Sequence, residues 1–252
     1  MIKGVFFDLY GTLLIPENSK KAWKNWFTTF YKLMKNYGLQ FSKRSFSNEC
    51  NGFFSRPDPK ENVENLTVYE NKIRDFAIDL NLDLNKSEIK NIADSCVNAW
   101  HEYIKIDPES LPLLEVLKDK KLIALITNFD HPPHIYSVLS EYKLAKYFEF
   151  IAISGEIGFK KPDPQIFNIT LKKIGLNSNQ VIFIGDSKED IEGANNANIK
   201  PILIQRQGSK KILTGDDYFS KKKAKRLFIQ NPKIEPWNTI SNLRDLYKFL
   251  NL

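Results

Sequence analysis

The sequence predicts an α/β fold, with a Rossmann-like parallel-sheet core and an all-helical domain inserted after the first strand. Residues 122–126 form a continuous apolar run, which is typical of a strand buried on both faces of a parallel sheet. Helix and strand patterns alternate from residue 107 onward, whereas 17–106 contains helical periodicity and no strand candidate. We therefore assign 1–16 and 107–252 to the core and 17–106 to the inserted domain.

The inserted segment contains four predicted helices. The first begins near Asn18 and ends before Gly38. Apolar residues recur along it at three- and four-residue spacing: Trp23, Trp26, Phe27, Phe30, Leu33, Met34 and Tyr37. A buried core is the favoured interpretation of this aromatic face, and a ligand-stacking stripe is the alternative. Ser42 is a candidate cap for the second helix, and two further helices are predicted over 66–80 and 87–104.

The core begins with a short β-prone run, 4–7, that leads directly into Asp8. Further strands are predicted at 122–126, 148–153, 181–184 and 201–204, and helices at 109–118, 135–142, 164–174 and 189–197. Ile240 to Leu250 has the pattern of a C-terminal amphipathic helix. The basic segment 206–236 is interpreted as a solvated loop or helix face in preference to a nucleic-acid patch.

Composition and charge narrow the function classes. The 252 residues are 42% hydrophobic and 27% charged, and their net charge is +7. That charge suits a small anionic substrate, and we expect neither a nucleic-acid partner nor a membrane partner. The cysteines, Cys50 and Cys96, are far apart in the sequence, which favours a reducing, cytoplasmic location over a disulfide framework or zinc site. The sequence leaves the oligomeric state open.

Polar residues follow four of the predicted strands. They are Asp8; Thr127 and Asn128; the run Lys160-Lys161-Pro162-Asp163-Pro164; and Gly185-Asp186 with Asp190. Each position alone is weak evidence, because polar residues commonly end strands. Together they meet at the carboxyl edge of a parallel sheet, which is where such folds bind ligands. We therefore predict a single functional site at this edge.

The residue types indicate an anion-handling site with a cation. Asp8, Asp186 and Asp190 would repel one another without a positive ion, and an oxygen-only ligand set favours Mg²⁺. Thr127, Asn128 and Lys161 supply donors and positive charge for a phosphoryl or carboxylate group. Asp8 is a candidate covalent nucleophile, as carboxylates are in aspartyl-phosphate enzymes. A metal-free structural cluster is the alternative.

These four motifs, in this order, resemble those of the haloacid dehalogenase superfamily of hydrolases, over residues 1 to about 205. The segment 17–106 falls where that family carries a helical cap. The resemblance implies that Asp8 is the nucleophile and that Thr127 and Lys161 hold the transferred group. It also implies that Asp8, Asp186 and the backbone carbonyl of Tyr10 bind Mg²⁺, with Asp190 supporting the metal site.

Tyr10 departs from the family's phosphatase pattern, in which a second Asp at this position protonates the leaving oxygen and activates water. Two enzymatic interpretations follow. A Mg²⁺-dependent phosphohydrolase without this acid would favour substrates with good leaving groups, or would take an acid from the cap, such as Glu49 or Asp75. A 2-haloacid dehalogenase needs no acid and resembles this chain at Tyr10. However, those enzymes carry Ser and Asn in the fourth motif, and an arginine that 13–22 lacks.

We favour the phosphohydrolase because Asp186 is a metal-compatible carboxylate. A non-catalytic module that binds a phosphorylated ligand is the third possibility. His131 and His134, just after Asn128, are more consistent with a loop or helix start than with a zinc pair, because no other Cys or His ligands are nearby in the sequence.

Overall fold

The computed structural model describes residues 1–59, 65–206, 214–220 and 234–250. The chain divides into two compact units. Among the described residues, 1–15, 106–206 and 234–250 belong to the first unit, and 16–59, 65–105 and 214–220 belong to the second. None of the described helices is both long enough and apolar enough to cross a membrane.

The described strands of the chain are β1 (Gly4–Phe7), β2 (Leu14–Pro16), β3 (Ile104–Ile106), β4 (Leu122–Thr127), β5 (Phe150–Ile153), β6 (Val181–Gly185), β7 (Lys200–Ile204) and β8 (Asn238–Ile240). The first unit is built on a parallel sheet with the strand order β5-β4-β1-β6-β7-β8. This arrangement confirms the predicted α/β class.

Strand β1 is central in this sheet and fully buried, and β4 and β6 are its neighbours. Phe7 is in register with Leu125 of β4 and Ile184 of β6. The three strands therefore end at nearly the same level, which brings the residues that follow them together. This register is what positions the candidate site.

Helices connect the strands of the first unit. The described helices of the chain are α1 (Ser19–Asn36), α2 (Lys43–Glu49), α3 (Val68–Asp79), α4 (Lys86–His101), α5 (Ser110–Leu117), α6 (Pro132–Glu141), α7 (Ser154–Ile157), α8 (Pro164–Ile174), α9 (Lys188–Asn196), α10 (Gly215–Phe219) and α11 (Leu246–Leu250). Phe167 of α8 and Ala194 of α9 pack with Phe6 and Phe183 of the sheet in one buried cluster. The helices α5, α6, α8 and α9 correspond to those predicted from the sequence.

Two three-residue strands, β3 and β8, lie where the sequence predicts the end or the start of a helix. The fourth helix ends at His101, and residues 104–106 form β3, which pairs with β2 in a two-stranded sheet. Ile240 lies in strand β8 at the edge of the main sheet, and only Leu246–Leu250 is α-helical after it. Strands of three residues are too short to show a period of two, so neither could be distinguished from the adjoining helical pattern.

The helical unit has an aromatic core. Its first helix is α1, whose N-cap is Asn18. Trp26 and Phe30 are essentially inaccessible, and the Trp26 indole N–H donates to the Tyr69 hydroxyl at 2.8 Å. The rings of Phe46, Phe53 and Phe76 surround Phe30 with centroid distances of 5.2–5.6 Å. The aromatic face of α1 is therefore part of a buried core, which confirms the favoured interpretation of its sequence pattern.

Helix α10 belongs to the helical unit, although the sequence-based boundaries assigned residues 107–252 to the core. Phe219 is buried, and its ring lies 5.7 Å from Trp26 and 5.5 Å from Phe27. Apolar burial against α1 accounts for this assignment. Most of the predicted basic segment 206–236 lies outside the described residues.

Replacing Phe219 with alanine is expected to lower the free energy of unfolding of the helical unit by about 3 kcal/mol, because a buried ring is removed from the aromatic core. Tyr218→Ala on the same helix removes a less buried ring and is the matched control. Urea unfolding followed by tryptophan fluorescence measures both. Equal losses in the two variants would contradict the packing described for α10.

Candidate active site

The candidate site lies where β1, β4 and β6 end. Asp8 directly follows β1, and its backbone N–H donates to the Ile184 carbonyl of β6 at 2.9 Å. Thr127 is the last residue of β4, and Asp186 follows the last residue of β6. Asp8 and Thr127 are buried, with 6% and 1% of their surfaces exposed. All of these residues belong to the first unit.

Lys161 is the buried cation of the site. Its ammonium donates to Asp8 Oδ1 at 2.6 Å, to Asp190 Oδ1 at 2.6 Å and to the Ile126 carbonyl at 3.0 Å. These bonds use all three ammonium protons. The ammonium also lies 5.5 Å from the centre of the Phe183 ring. Lys161 therefore joins the strand-ending Asp8 to Asp190 on helix α9.

Asn128 holds the backbone of Lys161. Its side-chain amide donates to the Lys161 carbonyl at 2.9 Å, and its side-chain oxygen accepts from the Lys161 N–H at 2.8 Å. Two residues later, Asp163 caps α8 through the Gln165 N–H. The substrate-binding role predicted for Asn128 stays a prediction, and the contact given by the structure is one that positions Lys161.

Asp190 has both carboxylate oxygens engaged. Oδ2 accepts from the Ser187 hydroxyl at 2.7 Å and from the Ser187 N–H at 3.0 Å, in a capping box that starts α9. Oδ1 accepts from Lys161. A Cβ on Gly185 would lie 2.4 Å from the Asp190 side chain, so this glycine permits the close approach. These contacts fit a supporting role for Asp190.

Asp186 lies against the loop that follows β1. Gly11 adopts φ +95°, and a Cβ on it would lie 2.3 Å from the Asp186 carboxylate. A glycine is therefore required by the backbone conformation and by the space. Carboxylate oxygens of Asp8, Asp186 and Asp190 all lie within 4.8 Å of one another. The sequence-predicted acidic residues are brought together.

The charge balance of the cluster suits a divalent cation. Three carboxylates face one ammonium. Burial raises the pKa of Asp8 to about 7, with Lys161 opposing this shift and Asp190 adding to it. Burial likewise raises the pKa of Asp186 well above its usual range, and Asp190 and Asp8 add to the effect. A set of oxygen ligands that lacks compensating positive charge matches the ligand chemistry of Mg²⁺.

Tyr10 has partners on helix α6 and the loop before it. Its hydroxyl shares a hydrogen bond of 3.1 Å with His134 Nε2, and its ring centre lies 5.5 Å from that of Phe129. Burial raises the pKa of the Tyr10 phenol well above its ordinary value. The hydroxyl therefore stays protonated at neutral pH. Its neighbour His134 lies in the first turn of α6, which agrees with the loop or helix-start role predicted from the sequence.

The remaining predicted residues have separate environments. Lys160 pairs with Asp130 at 3.0 Å, away from the ammonium position that Lys161 fills. His131 and His134 are buried beside the start of α6. Within the described part of the chain, the one group of three or more candidate metal ligands is the carboxylate cluster, and neither histidine belongs to it.

Sequence reasoning missed Arg206. Its guanidinium donates to Asp107 Oδ2 at 2.6 and 3.0 Å, to the Gly11 carbonyl at 2.6 Å and to the Thr12 carbonyl at 2.8 Å. Arg206 follows β7 within two residues. The strand-end rule that selected the other positions would also have selected this one, had the segment beginning at 206 not been interpreted only as a basic surface.

Curated relatives with different activities resemble the chain. It is 26% identical over 120 residues to an (S)-2-haloacid dehalogenase of Burkholderia cepacia, covering 48% of this chain and 52% of that protein. It is 24% identical over 204 residues to a pyrimidine 5′-nucleotidase of Escherichia coli, covering 77% and 82%. It thus spans about half of the dehalogenase and most of the nucleotidase.

Solved structures share the fold at low sequence identity. A HAD phosphatase of Thermococcus onnurineus superposes with a TM-score of 0.65 at 21% identity, covering 99% of this chain and 98% of that one. A 2-haloacid dehalogenase of Pseudomonas syringae gives 0.59 at 21%, covering 100% and 99%. A model of the haloacid dehalogenase-like hydrolases matches residues 2–198. The chain therefore belongs to the haloacid dehalogenase-like hydrolase family.

Proposed function

We propose that this protein is a Mg²⁺-dependent phosphohydrolase that acts on a small phosphorylated molecule, with Asp8 as the nucleophile. The observation that carries the proposal is the cluster of the buried Asp8 and Asp190 with the half-buried Asp186, which has Lys161 as its cation. A carboxylate cluster with a deficit of positive charge favours binding of a divalent ion. An ion there, together with Lys161, would attract a phosphate group.

In this reaction the Asp8 carboxylate forms a bond to phosphorus while the bond to the leaving oxygen breaks. Water then attacks the aspartyl-phosphate, which releases inorganic phosphate and restores Asp8. Lys161 compensates negative charge at the nucleophile, and Thr127 supplies a buried hydroxyl donor at the end of β4. When bound by Asp8, Asp186 and the Tyr10 carbonyl, Mg²⁺ would supply charge stabilisation for the phosphoryl oxygens.

Tyr10 limits which phosphate esters the site can cleave well. A tyrosine has an ordinary pKa of about 10 and is a poor base at neutral pH. A positioned acid/base group contributes about 10²–10⁴-fold to rate, and alkyl phosphates need that proton because an alkoxide is a poor leaving group. The carboxylate of an acyl phosphate and the phenolate of an aryl phosphate are better leaving groups and depend less on that proton. We therefore infer a preference for substrates of these classes.

The dehalogenase alternative has support from Tyr10 and from the Burkholderia cepacia relative. Two features weigh against it. Asp186 adds a carboxylate where a metal-independent dehalogenase has no need for one. Arg206 does reach the loop after β1, but its guanidinium is engaged by Asp107 and two carbonyls. A guanidinium with these partners is poorly suited to binding a haloacid carboxylate.

The purified protein is expected to release phosphate from an acyl phosphate and an aryl phosphate in the presence of Mg²⁺. Excess chelator should abolish this release, because the three carboxylates lose their counter-ion. Asp186→Asn removes one proposed ligand and should lower Mg²⁺ affinity and turnover together, as judged by calorimetry and phosphate release. Glu156→Gln, on an exposed carboxylate of the same unit, is the control.

Chelator-insensitive chloride release from 2-chloropropionate, without phosphate release from any ester, would assign the chain to the dehalogenases. Tight binding of a phosphorylated ligand with no turnover of either class would instead favour the non-catalytic module. Both results contradict the proposed function.

Replacing Tyr10 with aspartate should raise the rate of alkyl phosphate hydrolysis by about 10²-fold, because it supplies the missing acid. Tyr10→Phe removes the hydroxyl without adding a carboxyl group and should leave that rate close to wild type. Steady-state phosphate release from an alkyl ester compares the two. If Tyr10→Asp is folded and binds Mg²⁺ but is no faster than Tyr10→Phe, the missing acid is not what limits the enzyme.

A further inference from the structure

We propose that Arg206 is a positioning residue, which fixes the loop after β1 so that the Tyr10 carbonyl and the Asp8 and Asp186 carboxylates are arranged for a divalent cation. The inference rests on the proposed function, because it concerns the same metal site. It assigns a role to a residue outside the four motifs, and nothing in those motifs requires an arginine at this position.

The loop after β1 is held by hydrogen bonds within it and by hydrogen bonds from Arg206. The Leu9 carbonyl accepts from Leu13 and Leu14, both at 2.9 Å, and the Leu14 carbonyl accepts from Gly11 at 2.6 Å. These bonds form a tight turn that leaves the Gly11 and Thr12 carbonyls to other donors. Arg206 donates to both, at 2.6 and 2.8 Å. It therefore anchors the two peptide groups that follow the Tyr10 carbonyl.

Gly11 is the conformationally free residue of this loop. Glycine can adopt many backbone conformations, of which φ +95° at Gly11 is one, so the hydrogen bonds from Arg206 add to those within the turn in selecting it. Gly11 packs directly against Asp186, where even a methyl group would clash. A shift of this peptide would therefore displace the Asp186 carboxylate as well as the Tyr10 carbonyl.

Arg206 is itself anchored by Asp107. Asp107 accepts two of its hydrogen bonds and is itself buried, with 6% of its surface exposed. The Asp107 N–H donates to the Leu13 carbonyl at 2.9 Å, and the Ser110 hydroxyl donates to the same carbonyl at 2.9 Å. Both members of the ion pair, Asp107 and Arg206, therefore donate hydrogen bonds to carbonyls of the loop. The positive charge of Arg206 also lowers the pKa of Asp186, against the larger effect of burial, so the test must separate position from charge.

A planar guanidinium can donate to a carboxylate and two carbonyls at once, whereas an ammonium has fewer donors and no fixed fork. This difference gives the test. Mg²⁺ binding is measured by calorimetry on the full chain as wild type, Arg206→Lys and Arg206→Met, with thermal unfolding of each metal-free protein. Arg244→Met is the matched control, because Arg244 pairs with Glu109 in the same unit but is 75% exposed.

We expect Arg206→Lys and Arg206→Met to weaken Mg²⁺ binding about tenfold or more, the range in which groups that orient metal ligands act. Arg244→Met should bind within about twofold of wild type. If both Arg206 variants bind Mg²⁺ like wild type and lose only thermal stability, Arg206 is merely structural. Full affinity in Arg206→Lys alone would also overturn the proposal, since charge would then suffice. Should Arg206→Met fail to fold, Arg206→Lys alone decides.

Wild-type protein that does not bind Mg²⁺ would refute the proposed function. Wild-type protein that binds Mg²⁺, with Arg206→Lys unchanged, would refute only the role of Arg206. The two failures are therefore distinguishable in the same titration.

Discussion

The site depends on one buried contact, in which the Lys161 ammonium lies 2.6 Å from both Asp8 and Asp190. A buried carboxylate at the end of an apolar strand is costly unless a cation compensates it. Lys161 provides part of that compensation, and its backbone is in turn held by both polar atoms of the Asn128 side chain. Removing the lysine would leave two buried carboxylates without their shared partner, so the same contact serves stability and chemistry.

Sheet topology determines which residues can reach this contact. With β1 between β4 and β6, the segments carrying Asp8, Thr127 and Asp186 leave the sheet side by side. Arg206 comes from the next strand along, β7, and reaches back over the loop after β1. Residues separated by as many as 195 positions thus converge because parallel strands end at one edge. Tyrosine at position 10, where the family's phosphatases carry an aspartate, changes the leaving groups that we expect the site to accept. The backbone carbonyl of residue 10 is still present.

The sequence predicted the parallel sheet and the strand-end residues because both rest on local signals: a long apolar run, a helix cap, a polar residue at a strand end. It did not predict β3 or β8, because a strand of three residues is too short to show the alternation of apolar and polar residues. Nor did it predict that α10 packs against α1, or that Asp107 and Arg206 pair across 99 residues. Such contacts depend on tertiary packing, which no local pattern encodes. The engagement of Asn128 with the Lys161 backbone was missed for the same reason.

The proposed reaction requires Asp8 to carry the phosphoryl group during turnover. The direct measurement is acid quenching of the protein during turnover of an acyl phosphate with Mg²⁺, followed by peptide mass mapping. We predict a phosphoryl adduct on the peptide containing Asp8, lost on Asp8→Asn and on addition of chelator. Turnover with no adduct on that peptide, or an adduct formed only from 2-chloropropionate, would contradict a phosphoryl-transfer role for Asp8.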